Sequence, residues 1–210
     1  MLLCNRWNVL LLAGALAPLA LQADVIFSNL TGTSPTSSLD IAGNFLDLPD
    51  GVEAAEAFTP TGNFSMTGAQ VLYAGGDEPY FGLSLYSNNS GEPGSMIEIL
   101  ARQLGNAYST YSLVTANSFT PIDLTDGTEY WLVMTPATPF SETGWDGGGS
   151  SLVPEASSTA YGTTWTIASA NAEFQIDGTP ITTTPEPATL PLIAVGVAGL
   201  LIAARRSQTL

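Results

Sequence analysis

The chain has 210 residues, with 19 acidic and four basic side chains, no histidine and one cysteine. Between Asp24 and Thr184 a single positive charge, Arg102, faces 18 acids for a formal charge of −17. Such a body has almost no cations with which to displace counterions from a phosphate backbone or an anionic lipid surface, so nucleic-acid binding is excluded. Without histidine or lysine there is no Ser-His-Asp triad, imidazole metal site, Schiff base or P-loop, and Cys4 precedes the first apolar run and leaves the body without thiol chemistry.

Residues 1–23 read as a secretory signal peptide. Arg6 supplies the positive charge, Val9 to Leu21 is a 13-residue apolar run too short for a comfortable bilayer span, and Ala23 is the small residue expected before the cut.

Residues 24–180 read as one extracellular domain, since about 160 residues suffice for a single core. Short apolar or alternating runs are separated by Gly, Pro, Asn, Asp and Ser, and no segment keeps helical periodicity beyond about two turns. The expected strands are Val25–Leu30, Ala55–Phe58, Ala69–Tyr73, Tyr80–Tyr86, Met96–Leu104, Tyr108–Thr115, Glu129–Thr135, Thr163–Ser169 and Ala172–Ile176. With no crossover helices to join parallel neighbours, the expected fold class is all-β, an antiparallel jelly-roll-like β-sandwich.

Local features can be placed on that frame. SNNSGEPG, from Ser87 to Gly94, should close a hairpin with positive φ at Gly91 and Gly94. Asp126-Gly127 turns the chain into EYWLVM, where Trp131 and Val133 point one way and Tyr130, Leu132 and Met134 the other. Both faces of that strand must be covered, as in the centre of a sheet. Two acidic groups could offer oxygen ligands to calcium: Asp47, Asp50 and Glu53 around the Pro49-Asp50-Gly51 turn, and Asp123, Asp126 and Glu129 around the turn before the tryptophan strand. Neither has EF-hand spacing, and solvated turn acids explain both. Trp145, in the loop-like GWDGGGS stretch, with Tyr161 and Trp165 are the candidates for stacking on sugar rings, against the plainer reading of core or loop-pinning residues.

After a linker, residues 181–187, comes the uncharged apolar run Ala188 to Ala204. As a helix its 17 residues reach roughly 25 Å, barely enough to cross hydrocarbon. Arg205 and Arg206, in the tail 205–210, then act as a cytoplasmic stop that leaves the acidic body outside.

Pro185-Glu186-Pro187, the apolar span and the arginine pair together resemble the PEP-CTERM sorting signal of Gram-negative bacteria. The order of the three parts carries the likeness. With the signal peptide giving export across the inner membrane by the secretion machinery and a cut by signal peptidase, the resemblance implies transient anchoring through the C-terminal helix, cleavage near the motif by exosortase, and release or passage to the cell surface. The two prolines would hold the site extended above the membrane, where a protease can grip it. The body resembles the choice-of-anchor R module often found ahead of such tails, through Ser28-Asn29-Leu30, EAFTPTGNFSMTGAQVLYA (Glu56 to Ala74), FGLSLYSNNSGEPGSMIEIL (Phe81 to Leu100), LTDGTEYWLVM (Leu124 to Met134) and STAYGTTW (Ser158 to Trp165). That family is defined by its anchors and implies no activity.

The leading expectation is therefore a non-enzymatic exported protein of the surface or extracellular matrix, with no catalytic residues and no cofactor, and exopolysaccharide as a partner. The alternative is a carbohydrate- or calcium-dependent binding module. A glycoside hydrolase working with two carboxylates is third, because that mechanism needs only paired acids.

Overall fold

The computed structural model describes residues 23–31, 37–42, 51–75, 80–105, 111–147, 154–159, 162–168 and 172–181. Among them the chain forms strands only: β1 (Asp24–Ser28), β2 (Ser37–Ala42), β3 (Glu53–Phe58), β4 (Phe64–Gly75), β5 (Phe81–Asn88), β6 (Pro93–Leu104), β7 (Ser112–Leu124), β8 (Tyr130–Pro136), β9 (Glu142–Gly147), β10 (Glu155–Ser158), β11 (Thr166–Ala168) and β12 (Phe174–Pro180). Every strand pairing is antiparallel. The all-β, antiparallel expectation holds.

Two sheets result. One runs β1-β12-β4-β9-β2 with β7 on the other side of β4, and the second runs β11-β10-β3-β8-β5-β6. In the first, β4 is long enough for β12 to pair along Phe64–Val71 and for β9 to take over at Tyr73–Gly75. The facing sides of the two sheets share one core, built from Met66, Val71 and Tyr73 on β4, Leu83 and Leu85 on β5, Leu132 and Met134 on β8, Trp145 on β9 and Phe174 and Ile176 on β12. Aromatic rings knit one end: Phe27 stacks on Phe174 at 5.0 Å and Trp145 meets Phe174 edge-on at 6.0 Å. Asn29 staples that end, since its side chain donates to Ala172 O and accepts from the Phe174 N–H.

The tryptophan strand behaves as its alternation predicts. β8 lies between β3 and β5. Tyr130, Leu132 and Met134 enter the main core, whereas Trp131 and Val133 join Ala55, Ala57 and Ala156 in a second apolar cluster on the outer face of the same sheet. The hairpin from Ser87 to Gly94 also forms, as a two-residue turn closed by Asn89 N–H to Glu92 O (2.8 Å) and Glu92 N–H to Asn89 O (3.3 Å). Its positive φ angles fall on Ser90 (59°) and Gly91 (89°), not on Gly94. Paired positive angles match the right-handed strand twist. Gly94 serves differently, because a Cβ there would lie 2.9 Å from Ser87 Oγ.

Candidate functional site

On the outer face of the second sheet the chain from Gly162 to Trp165 folds across β3 and β8. Trp165 packs on the cluster of Trp131, Val133 and the alanines, with Tyr86 beside it. Glycine at 162 permits the close approach: its φ is +69°, and a Cβ there would sit 2.9 Å from Glu53 Oε2 and 3.4 Å from the Trp165 ring. Across from this segment stands the β5–β6 hairpin. Between them lies an open groove of about 740 Å³, walled by Ser87 to Asn89 and Glu92 to Ser95 on one side and by Gly162 to Trp165 on the other.

The groove wall is held in place from below. Asn88 Oδ1 accepts both the Trp131 indole N–H (3.2 Å) and the Gly91 N–H (3.0 Å), which fixes the amide plane and leaves its NH₂ group without a partner among the described residues. Ser87 Oγ accepts from the Ser95 N–H (3.0 Å) and ties the two hairpin strands together. Under the Gly162 segment, Glu53 is buried, and loss of hydration pushes its carboxyl from the usual 4.5 up to about 7. Its charge, after burial, also helps to raise the Tyr86 phenol.

A second acidic feature is sealed inside. Glu56 alternates with Ala54 and Phe58 and so points between the sheets, and Glu155 of β10 stands directly opposite it in register. Both are fully buried, and Glu56 Oε1 accepts the Ala172 N–H at 2.7 Å. Burial above all raises the Glu56 carboxyl, the Ala172 hydrogen bond pulls it down, and the charge and hydrogen bonding of Glu155 push it up, to about 9 in all.

The residues expected to bind something are distributed unevenly over this architecture. Trp145 is not on a loop: Gly144 to Gly147 belong to β9, Trp145 is 0 % exposed, and its indole N–H donates to Glu173 O at 3.2 Å. It is a core residue that cannot stack on a sugar, and this corrects its placement as a surface platform. Trp165 does line a groove. Tyr161 lies outside the described residues, as do Asp47, Asp50, Pro185, Glu186, Pro187, Arg205, Arg206 and the apolar span 188–204. Glu53, expected beside a turn, is instead the first residue of β3 and is covered. Asp123 is exposed on β7, Asp126 is exposed in the turn and Glu129 is half-buried before β8; among the described residues no three acids gather at metal-binding distances. Ala23 is exposed immediately before β1.

The hairpin residues Asn88, Asn89 and Glu92 were legible only as a turn. Their lateral partner, the Gly162 segment, is some seventy residues away in sequence, and no local pattern connects the two.

Comparison with curated proteins and with solved structures found no match to this chain. Residues 183–207, beginning three residues beyond the end of β12, do match the PEP-CTERM protein-sorting motif, and this marks the chain as an exported, exosortase-sorted protein, transiently anchored in a membrane on its way to the cell surface.

Proposed function

We propose that residues 24–180 form a non-enzymatic module of a Gram-negative cell surface or extracellular matrix, carried there by the tail. The observation that carries the reading is the sorting motif at residues 183–207, placed just beyond β12, whose last residue is Pro180. Ala23, exposed immediately ahead of β1, is open to a peptidase, which supports removal of residues 1–23 as a signal peptide.

Two features support a role without catalysis. The chain lacks histidine and lysine, and the facing carboxyls Glu56 and Glu155 are closed off inside the sandwich, whereas a glycosidase needs its two acids on either side of an open cleft. We read the two stacked sheets as jelly-roll-like and the body as a choice-of-anchor R type module. The sequence blocks from Glu56 to Ala74 and from Phe81 to Leu100, which lie in the end of β3, in β4 and in the β5–β6 hairpin, support that reading.

The test is expression of the full chain in a host with and without an exosortase, followed by fractionation and mass spectrometry of both ends. The expected product begins at Asp24, lacks Arg205 and Arg206, and appears at the surface or in the medium. Replacing Pro185, Glu186 and Pro187 by alanine should retain the protein in the membrane fraction. Recovery of the intact chain from cytosol in both hosts would overturn the proposal.

A further inference from the structure

The groove between the β5–β6 hairpin and the Gly162–Trp165 segment has a size within the range of ligand sites, and its chemistry is narrow. The walls offer side-chain amides, hydroxyls and one carboxylate. Trp165 supplies the aromatic surface, half-buried on its inner side by the Trp131 cluster.

An anionic ligand finds no cation in the walls, meets Glu92 and approaches a body of formal charge −17. An apolar ligand finds little besides one indole. A metal ion finds a single carboxylate among the lining residues, too few hard ligands for calcium. A pyranose chain without charge fits all three kinds of group. Its C–H face can lie on the Trp165 ring, and its ring of hydroxyls can accept from the Asn88 NH₂ and donate to Glu92 and the Asn89 carbonyl.

Preorganisation strengthens the case. Asn88 is oriented by two hydrogen bonds to its oxygen, so its donors are presented without a further loss of side-chain freedom, and the Trp131 that orients it is itself fully buried. Trp165 rests on the same cluster, and its indole N–H has no acceptor among the described residues. Platform and donor are thus fixed to one support.

We propose that this groove binds uncharged glycan, an oligosaccharide segment of a neutral polysaccharide. Trp165 is the stacking platform, Asn88 and Asn89 read hydroxyl groups, and Glu92 both accepts from hydroxyls and turns away acidic sugars. The proposal concerns the folded body and stands apart from how the tail is processed.

The experiment is titration of the full chain in mild detergent with cellohexaose, xylohexaose and isomaltohexaose, and with alginate and hyaluronan hexasaccharides as anionic probes. Binding is followed by calorimetry and by tryptophan fluorescence. At least one neutral hexasaccharide should bind and both anionic ones should not, and Trp165→Ala should weaken binding roughly tenfold, about the worth of one aromatic contact. Because Trp165 also packs on the outer cluster, the exposed changes Asn89→Ala and Glu92→Gln serve as a second pair. Asn89→Ala should weaken neutral binding several-fold and Glu92→Gln should lessen the exclusion of alginate, both at an unchanged melting temperature. The proposal is overturned if no neutral probe binds, if binding is indifferent to all three substitutions, or if an anionic probe binds more tightly than every neutral one. Sorting is read separately from the mature ends of the exported protein, so loss of one conclusion leaves the other intact.

Discussion

Replacing Glu56 by glutamine should remove most of the alkaline sensitivity of the fold. Glu56 titrates at about 9 in the folded protein because it is buried between the sheets beside Glu155, against the usual 4.5. A carboxyl whose folded pKa is raised stabilises the native state fully below its unfolded pKa and progressively less as pH climbs to the folded one. Here the decline begins near pH 4.5 and ends near pH 9. At about 1.36 kcal/mol per pH unit it amounts to roughly 3 kcal/mol at pH 7 and roughly 6 kcal/mol at pH 9, a large part of the 5–15 kcal/mol that holds a typical domain together. Glutamine keeps an oxygen to accept the Ala172 N–H, now made at 2.7 Å, and its NH₂ can donate to Glu155. Urea unfolding of both proteins at pH 5, 7 and 9 is the assay. The two midpoints should lie close at pH 5 and separate steadily, with the variant the more stable at pH 9. Parallel pH profiles would refute the argument, because they would mean that the Glu56 carboxyl ionises without penalty where it stands.

Two other substitutions test neighbouring claims. Glu53→Gln should flatten a smaller loss of stability, about 2 kcal/mol once partial solvent contact is allowed for, that begins near pH 4.5 and is complete by about pH 7; above that the profiles should run parallel, unlike those for Glu56. Trp145→Ala should lower stability by about 3–5 kcal/mol, as for a large core side chain, and a variant that melts like the parent would contradict its placement in the core.

How far the sequence anticipates this fold depends on whether a strand keeps its period of two. β8 does, with five buried residues divided between two clusters, and its central position could be read in advance. β4 does not. A bulge between Met66 and Gly68 lets Met66 and Ala69 both face the core, so the alternation restarts and only Ala69–Tyr73 stands out as a strand, although pairing extends from Phe64 to Gly75. Opposite it, β7 passes through Ser118 to Pro121 without pairing to β4 and exposes Phe119, which hides the second half of that strand as well. β9 and β10, written ETGWDG and EASS, have the composition of loops. They are strands because neighbours supply hydrogen bonds and cover: β4 and β2 flank β9, and β3 flanks β10. Tertiary context overrides propensity in β9 and β10.

The same physics separates the legible from the hidden parts of the candidate sites. The sorting motif is contiguous, so proline, glutamate, apolar span and arginines can be found in one reading of residues 183–207. A groove is not contiguous. Trp165 could be singled out as an aromatic residue, but its value depends on Asn88, brought opposite by a hairpin that begins in a different part of the chain, and on Trp131 beneath both. Trp145 is equally promising by composition, yet it lies within β9, where its indole is turned inward and donates to Glu173 O. For an aromatic side chain in a chain rich in glycine and serine, strand pairing decides whether the ring meets a ligand or the core, and that pairing is set by residues far away in the sequence.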